Sequence, residues 1–101
     1  MTLLGIDVGT TGCKVAIFSA EGEMLASAYR EHDAEHPEPG WAQLDARAIW
    51  ATLQAAIREV TDAAPRADVT AVSVSSLGEA VVPVSRGREI LGPSILNFDE
   101  R

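Results

Sequence analysis

Gly5-Ile6-Asp7-Val8-Gly9-Thr10-Thr11-Gly12-Cys13-Lys14 is the stretch on which the fold turns. It opens inside an apolar run, residues 3–8, broken only by Asp7. It closes in a second β-type run, residues 13–19, which carries Val15, Ile17 and Phe18. Between the two, Gly9-Thr10-Thr11-Gly12 is a turn signal. A short glycine-rich turn between strands can aim several amide N–H groups and two hydroxyls at one point, which makes a nest for an anion. Lys14 adds a positive charge, and Asp7 is a hard oxygen ligand suited to Mg²⁺ or to a water on it. Nest, lysine and carboxylate together are what the phosphates of a Mg-nucleotide require. The competing reading is a plain hairpin whose turn Asp7 caps. The stretch is not a Walker A loop, which runs G-x-x-x-x-G-K-[ST] into a helix, because Lys14 is followed by Val15-Ala16-Ile17-Phe18.

Working outward, Ala20-Glu21-Gly22-Glu23 is a second turn, and residues 24–29 read as a third strand of an antiparallel meander. Pro37 and Pro39 break residues 32–40 into a loop. Asp45 is placed to cap a helix over residues 46–63, with Ile49, Leu53, Ile57 and Val60 on one face and Pro65 just beyond its end. Residues 69–75 read as a buried strand. Residues 80–84 and 89–91 flank Ser85-Arg86-Gly87-Arg88, a hairpin signal. The order β-β-β-α-β, then a hairpin, predicts a mixed α/β sheet in which a helical crossover returns a strand to the meander. It lacks the strict βαβ alternation of a dinucleotide-binding sheet. The 101 residues read as one domain or a piece of one.

Composition removes several function classes. The net charge is −7, so a general binder of nucleic acid or of anionic membranes is disfavoured. A single cysteine, Cys13, excludes an internal disulfide framework and a Cys-rich zinc site. His32 and His36 fit no metal spacing and read as loop residues. No stretch reaches the roughly 18 apolar residues of a membrane span. The start of the chain has no basic n-region, so a cytoplasmic location is expected.

Four segments, in order, resemble the N-terminal part of the FGGY family of carbohydrate kinases, within the actin/hexokinase/heat-shock-protein ATPase superfamily. The opening Gly5–Lys14 stretch is similar to the family's first phosphate motif. Pro39-Gly-Trp-Ala-Gln-Leu-Asp45 is similar to the segment before its first helix. Ser75-Ser-Leu-Gly-Glu-Ala80 resembles its sugar-contact turn, and Leu96-Asn-Phe-Asp-Glu-Arg101 its W-x-D-x-R-type segment. The resemblance implies a ribonuclease H-like (actin-like ATPase) mixed sheet, of which residues 1–101 form an incomplete N-terminal domain. It implies ATP and Mg²⁺ as cofactors and a sugar or polyol as substrate. Asp7 is then expected near the metal, and Gly9, Thr10, Thr11 and Lys14 along the phosphate hairpin. Gly78 and Glu79, Asp99 and Trp41 are expected at the substrate pocket or its support.

Bland readings stand beside these. Trp41 suits a loop anchor, Asp45 a helix cap, Glu79 a solvent-facing turn residue, and Asp99-Glu100-Arg101 a solvated charge run. Trp50 reads as packing and Cys13 as a small hydrophobe in a strand. The chain departs from the family pattern at Leu77, where Gln is frequent, at Asn97, where Trp is frequent, and at Ala46, where Pro is frequent. The first two bear on which sugar is accepted. No residue reads as the general base, which is expected beyond residue 101 together with the second lobe. The 101 residues alone are therefore expected to be inactive and to self-associate through uncovered apolar surface. The alternatives are a non-catalytic nucleotide-binding or interaction module of the same superfamily, and a small scaffold whose hairpin binds nothing.

Overall fold

The computed structural model describes residues 1–101. In chain order the elements are β1 (Thr2–Val8), β2 (Gly12–Ser19), β3 (Met24–Glu31), β4 (Gln43–Leu44), α1 (Ala46–Ala63), β5 (Val69–Ser76) and β6 (Ser94–Ile95). Strand alternation sorts the first two strands onto two faces. Leu4 and Ile6 of β1 and Cys13, Val15 and Ile17 of β2 are buried on one side, while Asp7 and Lys14 are exposed. The buried row meets Leu53, Ala56 and Val60 of α1, spaced i, i+3, i+7, and Ala28 of β3 completes this core.

The Asp45 carboxylate accepts from the Arg47 and Ala48 amides at 3.0 and 3.2 Å, as an N-cap does. The helix stops at Ala63, two residues before Pro65. The main sheet has the order β3-β2-β1-β5: an antiparallel meander with β5 added parallel to β1 after the helical crossover. The expected mixed α/β sheet is therefore present. Residues 94–101 fold back on the loop before α1. There β6 pairs antiparallel with β4, and Ala42, Leu44 and Leu96 form a second small core.

Four expectations change. Residues 69–75 were expected to be a buried strand, but β5 is an exposed edge, with Val72 and Val74 at 57% and 63% exposure. The reason is placement: α1 packs over β2 and β3 and leaves β5 uncovered. The hairpin expected over residues 80–91 reduces to one bridge, Val84 to Ile90, around a turn in which the Ser85 amide donates to the Glu89 carbonyl. On α1, Ile49 packs against the second core rather than the first, and Trp50 is more than half exposed. No helix is long and apolar enough to cross a membrane.

Candidate functional site

The glycine turn joins β1 to β2 at the end of the sheet where the parallel strands β1 and β5 finish. The Gly9 amide donates to the Gly12 carbonyl at 2.8 Å and closes the turn. The Thr10 and Thr11 amides donate to no acceptor in the protein, and both residues are exposed. Two free N–H groups in a tight turn are the donors an anion nest needs.

Asp7 and Lys14 are direct cross-strand partners, and Asp7 also sits level with Ser75 of β5. Neither Asp7 nor Lys14 is engaged in an ion pair. They face the side of the sheet that α1 does not cover, where a hollow of about 360 Å³ is lined by Gly5, Asp7, Lys14, Phe18, Ser73 and Ser75. A negative and a positive group, both unspent, thus flank one hollow, on the strand ends that lead into the turn with the two free amides. Asp7 is the one carboxylate lining it, and no group of three or more His, Cys, Asp or Glu side chains is placed to cage a metal. That donor set fits a Mg²⁺ that keeps waters and shares its coordination with phosphate oxygens; it does not fit a metal enclosed by protein.

Gly78 and Glu79 lie at the same end of the sheet. The Leu77 amide donates to the Val8 carbonyl at 2.9 Å, so the segment leaving β5 runs beside the start of the glycine turn. Glu79 has φ of 57°, in the left-handed region that favours glycine. For a glutamate this costs on the order of 1–2 kcal/mol, a strain of the kind that collects at binding sites. Its carboxylate is exposed and holds no partner within the chain.

Trp41 and Asp99 flank the second core, next to Ala42, where the C-terminal segment docks. Asp99 accepts from the Ala42 amide at 2.6 Å and pairs with Arg101 at 2.8 Å, with only 2% of its side chain exposed. The Arg101 guanidinium stacks 4.0 Å from the centre of the Trp41 ring and donates to Gln43 at 3.0 Å. These groups are spent on joining residues 94–101 to residues 40–44. The site therefore has two parts: Asp7, Gly9, Thr10, Thr11 and Lys14 at one end of the main sheet and Trp41 and Asp99 beside the second core, with Gly78 and Glu79 between them, since Leu77 is tied to Val8 and Leu77 and Ala80 pack against that core.

The Arg101 guanidinium, helped by the Ala42 and Arg101 amides, holds the Asp99 carboxyl down to about 2 from the ordinary 3.8, against burial that pushes it up. A carboxyl depressed on folding stabilises above its unfolded value, and that contribution is lost as pH falls through its folded value. The docking of residues 94–101 is accordingly expected to loosen between about pH 4 and pH 2. Trp41 fluorescence, which reports the stacked Arg101, follows the transition. Asp99→Asn is expected to flatten it, and an unchanged acid transition in that variant would contradict the assignment.

Two neighbours of the turn carry no sequence signal. Tyr29 of β3 lies over Gly12, and the His32 imidazole Nε2 lies 2.7 Å from the Gly9 carbonyl oxygen. Their partners are distant in sequence, and only the β2–β3 register brings them there.

Residues 2–101 match the N-terminal domain of the FGGY family of carbohydrate kinases. The chain is 36% identical over 76 residues to a glycerol kinase of Oceanobacillus iheyensis, covering 75% of this chain and 15% of that protein. It is 41% identical over 76 residues to a glycerol kinase of Rhodospirillum rubrum, with the same coverage. The crystal structure of a xylulose kinase from Rhodospirillum rubrum superposes with a TM-score of 0.92 at 27% identity, covering 100% of this chain and 21% of that one. The chain thus spans about 15% of the length of these curated relatives.

Proposed function

The chain belongs to the FGGY family of carbohydrate kinases, with their actin-like ATPase fold, and from that premise we propose that it forms the phosphate-gripping hairpin and part of the acceptor wall of an enzyme that transfers the γ-phosphoryl group of ATP to a sugar or polyol hydroxyl. The observation that carries this is the unpaired Asp7 and Lys14 lining one hollow, on the strand ends that lead into the turn bearing the free Thr10 and Thr11 amides.

Phosphoryl transfer asks little covalent chemistry of the protein; it asks for positioning and charge complementarity. The turn amides and Lys14 bind the phosphate oxygens and orient them. Asp7 would hold the Mg²⁺ that accompanies the nucleotide, and that ion would neutralise charge on the phosphates. Glu79 accepts a hydrogen bond from an acceptor hydroxyl, and Gly78 leaves room for the acceptor beside it. Asp99 and Trp41 act one step back, by fixing the segment that borders the acceptor. Residues 1–101 act as the N-terminal part of a two-lobed kinase in the cytoplasm. The proton of the attacking hydroxyl leaves to a base outside these residues: Asp99 is committed to Ala42 and Arg101, Asp7 to the cation, and Glu79 to holding the acceptor.

Glu79→Ala in the kinase that carries this segment tests the reading. The KM for the accepted sugar or polyol is expected to rise by about 10-fold or more, the loss typical of a hydrogen bond to a charged group, with the KM for ATP within about 2-fold. Equal changes in both constants would make Glu79 structural. A panel of pentoses, hexoses and polyols that yields no ADP would remove the kinase reading altogether.

A further inference from the structure

We propose that His32 is a positioning residue for the phosphate turn: it pins the turn's carbonyls so that an amide faces outward to the nucleotide phosphates. The proposal rests on the phosphate-gripping reading above and adds a residue that no motif of the sequence contains.

His32 is the first residue after β3 and grips the turn twice. Its backbone N–H donates to the Thr11 carbonyl at 3.0 Å, and its ring Nε2 lies 2.7 Å from the Gly9 carbonyl oxygen. A carbonyl can only accept, so Nε2 carries the hydrogen. Nδ1 is buried with no partner, and a hydrogen there would be a buried donor without an acceptor. The neutral ring with hydrogen on Nε2 is thus the form that satisfies this geometry.

The consequence follows from the planarity of the peptide bond. In a trans peptide the C=O of one residue and the N–H of the next point in opposite directions. The Gly9 carbonyl and the Thr10 N–H belong to one such plane. Anchoring the carbonyl on His32 therefore aims the Thr10 N–H away from β3, into the space where it is free of any protein acceptor. The Thr11 carbonyl is held by the same residue, so the turn is fixed at both ends of its exposed dipeptide. Without the ring N–H, the Gly9–Thr10 plane is free to rotate, and the nest loses its preset shape.

The test compares His32→Phe, which keeps a ring but no donor, with His32→Gln, which returns a side-chain N–H at a similar reach. Long-range ¹H–¹⁵N spectra of the unsubstituted chain are expected to show hydrogen on Nε2 and a bare Nδ1. Amide exchange at Gly9, whose N–H closes the turn, is expected to speed up about 5- to 10-fold in His32→Phe and to stay within about 2-fold in His32→Gln. The Val15 amide, deep in β2, serves as the reference for the fold as a whole and is expected not to change. Shift changes at Thr10 and Thr11 on titration with Mg-ATP are expected to need correspondingly more nucleotide in His32→Phe only. An unchanged Gly9 rate, a rate that rises together with that of Val15, or a failure of His32→Gln to restore it overturns the proposal. If the kinase that carries this segment shows no response to Mg-ATP while Gly9 behaves as expected, the pinning stands and the phosphate-gripping reading falls.

Discussion

Asp7→Ala is expected to lower kcat of the kinase that carries this segment by roughly 10²–10³-fold, the scale on which a single electrostatic contact to the transferring group acts. The fold is expected to survive unchanged. Asp7 is exposed and takes part in no ion pair, so its removal breaks no buried contact, and a surface change of this kind is worth within about 0.5 kcal/mol. Its cross-strand neighbours Lys14 and Ser75 keep their backbone pairing whatever the side chain between them. The two effects therefore separate cleanly: steady-state kinetics at saturating ATP and Mg²⁺ read the first, and thermal unfolding reads the second. Asp7→Asn refines the result, since it keeps the shape and removes the charge. If the role is to hold a hydrated cation, the amide fails nearly as badly as alanine. A kcat within about 3-fold of the unsubstituted enzyme, with normal Mg²⁺ dependence, would leave Asp7 as a residue of the sheet and nothing more.

What was legible in the sequence was whatever local chemistry settles. The turn after Val8 announces itself through Gly9 and Gly12 between two apolar runs, which mark strands without saying which of their residues face the core, because residues 3–8 are apolar on both faces except at Asp7. The helix was bounded by a carboxylate at Asp45 and a breaker at Pro65, and its spacing named Leu53 and Val60 as core. Burial of β5 was not legible. Its Val72 and Val74 look like core residues, and whether they are covered depends on which strands α1 crosses, a matter of tertiary placement. The β4–β6 pairing escaped for a related reason: two residues per strand leave no period to detect. At the site, Asp7 and Lys14 could be named because they flank the turn in sequence, and Glu79 because a family pattern marks it. His32 could not, since its contact with Gly9 spans 23 residues and exists only in the β2–β3 register.

That same register makes Gly12 the most constrained position of the turn, and for space rather than backbone conformation. A Cβ added there would lie 2.6 Å from the Tyr29 ring carbon that bears the hydroxyl and 2.7 Å from the Arg30 carbonyl oxygen. The ring can swing aside; the carbonyl belongs to the neighbouring strand and can move only if β2 and β3 part. Gly12→Ala is accordingly expected to cost about 1–3 kcal/mol, the range for overpacking in a well-packed region. In a chain of this length that lowers Tm by about 5–20 °C. Tyr29→Ala placed on the same background separates the two obstacles. It is expected to recover only part of the loss, because the carbonyl remains; full recovery would assign the whole clash to the ring. The Gly12 carbonyl also accepts the Gly9 amide that closes the turn, so displacing the start of β2 opens the nest as well as the sheet. One added methyl group is thus expected to weaken the fold and the grip on Mg-ATP together, whereas Asp7→Ala affects catalysis alone. A Gly12→Ala chain that melts within about 2 °C of the unsubstituted one would mean that β3 does not lie over the turn as described, and the contact between His32 and Gly9 would lose its support along with it.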